Sequence, residues 1–179
     1  FFRVGKPLVI VSAAVVGVAG VAVSARSEGE ENDANAYIKS GNAKYGIGDY
    51  QGSIEDFSKA LIIDPQYALA YYNRGNAKDE LEDYKGAIDD YSKALEIDAR
   101  HAVAYNNRGV ANRKSGDNRA AIADYNKALE IDSQLAVAYL NRGISKENDG
   151  NLTGACADWR EASALGDEIA AKWVKESCR

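Results

Sequence analysis

The sequence predicts an all-α protein, a solenoid of four helical hairpins with a short capping helix at its C-terminus. Two observations predict the solenoid: the sequence repeats every 34 residues from Ala34 onward, and the chain has only two prolines, Pro7 and Pro65. A third observation, an uncharged stretch of 18 residues near the N-terminus, predicts one transmembrane helix before the solenoid.

The uncharged stretch runs from Leu8 to Ala25 and follows Arg3 and Lys6. As a helix it would be about 27 Å long, close to the hydrocarbon thickness of a bilayer. The basic flank predicts a cytoplasmic N-terminus, with the repeats on the periplasmic or lumenal side. One alternative is a cleaved secretory signal, because Val23 and Ala25 would supply the small residues that signal peptidase requires at positions −3 and −1 of its cleavage site. Another is a buried core helix, which the apolar character of every face disfavours.

Residues 26–33 (RSEGEEND) are predicted to form an acidic linker, and the repeat units then follow without insertions. The units are 34–67, 68–101, 102–135 and 136–169, in which AYYNRGNAK is followed by AYNNRGVAN and then AYLNRGISK. A period of 34 residues is typical of stacked helix–turn–helix units. Because each unit exposes apolar surface that only the next unit covers, we predict a capping helix within 167–179.

Small and aromatic residues recur at fixed positions of each unit. In the second unit, glycine at position 8 is Gly75, the aromatic at position 24 is Tyr91, and the small residues at positions 20 and 27 are Ala87 and Ala94. This pattern resembles the tetratricopeptide-repeat (TPR) family over about four fifths of the chain. The resemblance implies a right-handed α-solenoid, whose inner helices line a concave groove that binds another polypeptide.

The resemblance also implies which residues face the groove. In the family, asparagine at position 6 commonly hydrogen-bonds the backbone of a bound peptide. The predicted groove residues are Lys39, Asn73, Asn107 and Asn141 at position 6, with Tyr72, Asn42, Asn76 and Arg113 beside them. The alternative is that asparagine is simply tolerated on a solvated face. Position 5 carries no lysine in any unit, which disfavours a clamp for a chaperone tail.

Arginine at position 7 and aspartate at position 23 also recur. The first unit has the aspartate but has Ser40 in place of the arginine. This favours pairing of each arginine with the aspartate of the preceding unit, which would set the stacking register, and leaves pairing within a unit as the alternative. The predicted pairs are Arg74–Asp56, Arg108–Asp90 and Arg142–Asp124.

Two cysteines lie on the last two predicted helices. Cys156 is near the start of one and Cys178 at the end of the other, so antiparallel packing would bring them within reach of a disulfide, which a non-cytoplasmic location would favour. The alternative is two unpaired thiols. No metal site is predicted, because these cysteines and the single histidine, His101, supply too few ligands.

Composition and motifs disfavour nucleic-acid binding and catalysis. The net charge is −5, and the chain after residue 25 carries 20 basic and 27 acidic residues, so a basic stripe is not expected. The glycines at 46, 48 and 52 fall at a predicted turn that no strand precedes, and no other phosphate-binding or nucleophile motif occurs. We predict no enzyme, no catalytic residue and no cofactor.

The combined prediction is a membrane-anchored adaptor that holds another protein during assembly or stabilisation of a membrane complex. The sequence motif NRG, followed in the second and third units by AIxDYxKALEID, resembles the repeats of TPR proteins of cyanobacteria. This resemblance suggests a photosynthetic or thylakoid role. The alternatives are a constitutive subunit held in a complex by its transmembrane helix, and a secreted periplasmic protein with a cleaved signal.

Overall fold

The computed structural model describes residues 28–178, and over this range the chain forms nine α-helices and no β-strand. The helices are α1 (Glu28–Gly46), α2 (Tyr50–Ile63), α3 (Ala68–Glu80), α4 (Tyr84–Ile97), α5 (Ala102–Lys114), α6 (Asn118–Ile131), α7 (Ala136–Asn148), α8 (Leu152–Ala164) and α9 (Glu168–Ser177). The first eight pack as four consecutive hairpins, and α9 packs against α8.

The hairpins stack into an α-solenoid in which helices of odd number form one layer. Each helix contacts its neighbours in sequence, so packing runs continuously from α1 to α9. Helix α3 also contacts α1 and α5, and α5 contacts α7. Helices on the inner side of a curved stack approach one another more closely than those outside, so α1, α3, α5 and α7 line the inner face.

A repeated sequence signal ends one helix and starts the next within each hairpin. An Asp or Asn caps each even-numbered helix; the Asp83 side chain, for example, accepts a hydrogen bond of 3.0 Å from the Gly86 amide. The preceding turn has a positive φ, which glycine adopts without a Cβ clash in three of the four hairpins. In the second hairpin this place is taken by Glu82, with φ of 61°.

Each hairpin core joins a glycine to an aromatic ring. A Cβ built on Gly75 would lie 2.8 Å from the Tyr91 ring, and a Cβ on Gly109 would lie 2.6 Å from the Tyr125 ring. Both tyrosines are buried, as are Phe57 and Trp159 at the same position of the other units. Any side chain at these glycines would force the two helices apart.

Helix α9 covers the end of the stack. Trp173 on α9 meets Trp159 of the fourth unit edge to face, with 5.1 Å between ring centroids, and Ala170 is fully buried. The buried ring of Trp159 would otherwise face solvent on this side, so α9 has the position and packing of a cap.

The N-terminal boundary differs from the sequence prediction. Helix α1 begins at Glu28, inside the stretch 26–33 that we expected to be a linker. That stretch contains no proline, and acidic residues are favourable near a helix N-terminus, so the helix extends beyond the repeat period. The predicted transmembrane segment, 1–25, lies outside the described residues. Within residues 28–178 we find no helix with the length and apolar character that a membrane span requires.

Candidate protein-binding groove

The amides on the inner face hydrogen-bond one another from unit to unit. Asn73 of the second unit donates to Asn42 Oδ1 of the first, at 3.0 Å. Asn107 of the third unit donates to Asn76 Oδ1 of the second at 3.1 Å, and to the Tyr72 hydroxyl at 3.2 Å. These inter-unit bonds, Asn73–Asn42 and Asn107–Asn76, form an amide ladder. The predicted groove asparagines therefore bridge the units themselves, which sequence reasoning missed because it considered only a ligand or solvent as their partner.

The pattern changes at the fourth unit because position 9 of the third unit is Val110. Asn141 has no amide at that position to bond and donates instead to Asn106 Oδ1, at 3.0 Å. Asn106 in turn donates to Asn107 Oδ1, at 3.1 Å. Asn73, Asn106 and Asn141 each donate one of these bonds, so each keeps a second N–H for another acceptor, whereas Asn107 uses both of its N–H groups.

Two neighbouring cavities open on the amide-rich half of the groove. The smaller, of about 80 Å³, has Phe57 in its lining and is bordered by Asn42, Tyr45, Asn73 and Asn76. The larger, of about 210 Å³, shares Tyr45 and Asn76 with it. The larger cavity is also bordered by Asp79, Glu80, Tyr91, Asn107 and Val110. A bound chain that crosses Tyr45 and Asn76 would meet both.

Two predicted groove residues lie outside this network. Lys39 is exposed on α1 and does not continue the ladder. Arg113 is half-buried on α5, and it lies with Ser145 beside the buried Tyr125 hydroxyl, although neither makes a hydrogen bond of good geometry with that hydroxyl. In the second unit the equivalent hydroxyl, on Tyr91, donates to Asn76 at 2.8 Å. Val110 offers no such acceptor in the third.

The arginine–aspartate pairs form within each unit, so the predicted pairing with the preceding unit, as in Arg74–Asp56, Arg108–Asp90 and Arg142–Asp124, is wrong. Arg74 instead donates two hydrogen bonds to the Asp90 carboxylate, of 2.8 and 2.7 Å. The equivalent pairs are Arg108–Asp124 and Arg142–Asp158. Ser40, which replaces the arginine in the first unit, likewise bonds Asp56 of its own unit, at 2.6 Å.

The physical reason is that positions 7 and 23 face each other across the hairpin. The remaining guanidinium nitrogen, Nη1, does contact the preceding unit. Arg74 Nη1 donates to the Ser58 hydroxyl at 3.0 Å, and Arg108 Nη1 donates to the Ser92 hydroxyl at 3.0 Å. The arginine thus joins two units, but through a hydroxyl and not through the carboxylate. Such bidentate pairs also fix the angle between the two helices.

A lysine at position 11 completes this cluster and was not recognised from the sequence. Lys78 Nζ lies 2.7 Å from Asp90 Oδ2, and Lys146 Nζ lies 2.7 Å from Asp158 Oδ2. In the third unit Asn112 replaces the lysine and donates to Asp124 at 2.9 Å. The sequence feature that could have identified this lysine is its recurrence at the same 34-residue spacing as the arginine.

In the first unit these contacts hold the buried carboxylate of Asp56 in its charged form. Burial opposes ionisation of Asp56, but hydrogen bonds from Lys44, Ser40 and Lys59 outweigh it and lower its pKa to about 2. The Asp90 carboxylate in turn raises the pKa of Arg74 above its usual value, mainly through their hydrogen bond. The clusters are therefore structural ion pairs, closed to a ligand by their own partners.

The remaining predicted residues lie away from the groove cavities. Cys156 and Cys178 are joined by a disulfide, with 5.5 Å between their Cα atoms, which ties α9 to the start of α8. His101 caps α5, where its Nδ1 accepts from the Ala104 amide at 3.2 Å. Over residues 28–178, no group of three or more His, Cys, Asp or Glu side chains is placed to hold a metal ion.

These features define an α-solenoid of helical hairpins with a polar inner groove. The tetratricopeptide-repeat family model matches residues 68–101 and 102–135, and a TPR-repeat model matches residues 41–79. The chain therefore belongs to the tetratricopeptide-repeat family. The fourth unit lies outside the matched residues, yet its Gly143 and Trp159 repeat the packing of the others.

Solved structures of other proteins share this fold. A crystal structure of MamA is 26% identical, with a TM-score of 0.73, over 80% of this chain and 84% of that one. The Arabidopsis OM64 TPR domain is 25% identical, with a TM-score of 0.65, over 66% of this chain and 98% of that domain. The first TPR domain of Spaghetti (RPAP3), bound to an HSP90 peptide, is 23% identical, with a TM-score of 0.65, over 66% and 94%. No curated protein sequence matches this chain.

Proposed function

We propose that this protein is a protein-interaction scaffold that binds an extended segment of a partner in the inner groove and has no catalytic activity of its own. The observation that carries the proposal is the row of amides along α1, α3 and α5, most of which keep an N–H that the ladder does not use, beside the two cavities. An extended backbone offers carbonyl and amide groups that such side chains bond in pairs.

The fold is suited to this task. The TPR domain of Spaghetti has the same fold and was solved with the HSP90 peptide SRMEEVD. In the present chain the inner helices present no lysine at position 5, so an acidic chaperone tail is not the partner we propose.

The finer proposal is that residues 8–25 anchor the scaffold in a membrane, with its repeats on the periplasmic or lumenal side. Its support is the uncharged 18-residue stretch and the basic residues before it. A role in assembling a membrane complex, including a photosynthetic one, rests on the resemblance to cyanobacterial TPR proteins. Carbonate extraction of membranes tests the anchor: we expect the full chain to stay with the lipid and a chain lacking 1–25 to be released.

The groove is tested by a triple variant, Asn73→Ala, Asn107→Ala and Asn141→Ala. A matched control removes three exposed amides outside the ladder, at Gln51, Gln66 and Gln134. Partners captured in mild detergent by each full-length chain are compared by mass spectrometry. We expect the groove variant to lose its partner and the control to retain it.

The ladder also bridges units, so its loss lowers stability by about 1 kcal/mol for each bond. Capture is therefore done well below the melting temperature of each variant, measured by circular dichroism. If a folded triple variant keeps the same partner, and removal of 1–25 releases it, the groove is not the binding site and the N-terminal segment is.

A further inference from the structure

The larger groove cavity has a lining whose chemistry is unlike the rest of the groove. It combines two carboxylates, Asp79 and Glu80 at the end of α3, with the phenols of Tyr45 and Tyr91. Val110 adds an apolar surface. At about 210 Å³ the cavity is smaller than a pocket for a drug-sized ligand, which suits a single side chain.

One carboxylate oxygen of Asp79, a residue that lines this cavity, has no hydrogen-bond partner. Asp79 Oδ2 lies 2.6 Å from Lys114 Nζ, whereas Asp79 Oδ1 is buried and makes no hydrogen bond. A buried acceptor without a donor costs free energy comparable to a lost hydrogen bond. Asp79 is therefore compensated by Lys114 alone, and its negative charge acts on any group that enters the cavity.

The second carboxylate lacks a cation. Glu80 is exposed and accepts a bond of 3.2 Å from the Tyr45 hydroxyl, and none of the described lysines or arginines forms an ion pair with it. The nearby bases are already engaged, since Lys78 lies 2.7 Å from Asp90 and Lys114 binds Asp79. The cavity therefore keeps a net negative charge.

The negative charge near the cavity contributes to raised pKa values of the two tyrosine hydroxyls. Burial and then the charge of Glu80 raise the pKa of Tyr45 to about 12. The pKa of Tyr91 is raised as well, chiefly by burial and further by the charges of Asp79 and Glu80. Both hydroxyls are thus neutral donors at physiological pH, already bonded to Glu80 and to Asn76.

We propose that this cavity accepts the side chain of a lysine or arginine from the partner segment, an inference that rests on the proposed function. The ammonium or guanidinium group bonds Glu80 and lies in the negative field of Asp79, while its aliphatic stem lies against Val110 and the tyrosine rings. The adjacent cavity over Phe57 then takes a small neighbouring residue of the same segment. Charge complementarity selects this occupant over an acidic one.

The test begins with a library of randomised decapeptides selected on the full 179-residue chain. The strongest binders are synthesised, and their affinities are measured by fluorescence anisotropy. We expect lysine or arginine to be enriched at one peptide position. Replacing it with norleucine, which keeps the stem and removes the charge, should weaken binding about tenfold.

The protein side of the test uses the double variant Asp79→Asn, Glu80→Gln. It should bind the norleucine and lysine peptides about equally, because the charge it recognised is gone. The matched control, Asp89→Asn with Glu96→Gln, makes the same change of charge on exposed positions of α4 and should keep the preference for lysine. Thermal melting confirms that each variant is folded, and the peptide substitution needs no protein variant at all.

The outcomes separate this inference from the function beneath it. Peptides that bind and depend on the three ladder asparagines, but show no preference for a basic residue, overturn the cavity assignment and leave the scaffold function standing. Enrichment of Asp or Glu also overturns the assignment. If no peptide binds, or binding ignores both the ladder and the cavity, the groove function fails and the cavity assignment fails with it.

Discussion

The second and third units carry the same ion pair between their helices but different residues in the groove. Arg74–Asp90 and Arg108–Asp124 have nearly the same geometry, and each arginine reaches a serine of the preceding unit. In the groove, by contrast, Asn76 of the second unit becomes Val110 of the third. The hairpin interior is uniform because every unit must pack on the next, whereas the groove can vary without disturbing the stack.

The acidic pair at the end of α3 shows the same variation. Positions 12 and 13 are Asp79 and Glu80 in the second unit, and Arg113 and Lys114 in the third. The comparison teaches that residues shared by all units mainly determine the fold, while residues that differ give each part of the groove its own chemistry. Four predictions test this division.

The largest expected effect comes from the uniform ion-pair cluster. Asp90→Ala leaves Arg74 and Lys78 without their buried counter-ion, which should lower the free energy of unfolding by about 3–5 kcal/mol. Asp89→Ala, at the exposed neighbouring position, should change it by less than about 0.5 kcal/mol. Urea unfolding followed by circular dichroism measures both. Equal effects would mean that the cluster is not structural.

A smaller effect should follow acidification of the first unit. The pKa of Asp56 falls from 3.8 to about 2 in the folded state, so the charged form favours folding. Its contribution is complete above about pH 5 and is lost progressively as the pH falls through 3.8 and past about 2. Asp56→Asn should therefore show a weaker loss of stability over this window than the parent chain. Parallel pH profiles of the two proteins would contradict the assignment.

A gain of about 1 kcal/mol is expected from Val110→Asn in the groove. The change supplies the third unit with the acceptor that Asn76 provides in the second, so the Tyr125 hydroxyl, which has only Arg113 and Ser145 beside it in poor geometry, gains a well-formed hydrogen bond. Val110→Ala removes the same apolar atoms without adding an acceptor and should be destabilising. A melting temperature that falls in both variants would show that the two units do not share this arrangement.

The smallest gain, about 0.5–1 kcal/mol, should come from Glu82→Gly in the turn of the second unit. The other three hairpins have glycine at the positive-φ position, and Glu82 alone among the described non-glycine residues has this conformation. Glu82→Ala keeps the Cβ and should give no gain from relief of this strain. Calorimetric melting of the two variants distinguishes the turn geometry from loss of the carboxylate.

Much of the fold could be predicted because it depends on local patterns. The 34-residue spacing located the units, and a glycine facing an aromatic, as at Gly75 and Tyr91, indicated close helix packing. The start of α1 was less predictable, since Glu28 precedes the first repeat and the period carries no information there. The lysine at position 11 recurred visibly, but its role needed Asp90 across the hairpin.

The sequence by itself determined the helical hairpins, their number in the stack and the need for a cap, because turn residues and apolar spacing act over one or two helical turns. Only the tertiary structure decided which carboxylate Arg74 meets, since a periodic sequence supplies an aspartate both before and after it. It also decided that Asn73 and Asn107 bond the unit before them, and that Asp79 and Glu80 share a cavity with Tyr45. These contacts depend on the rotation between successive hairpins, which is set by side-chain packing between units and not by spacing along the chain.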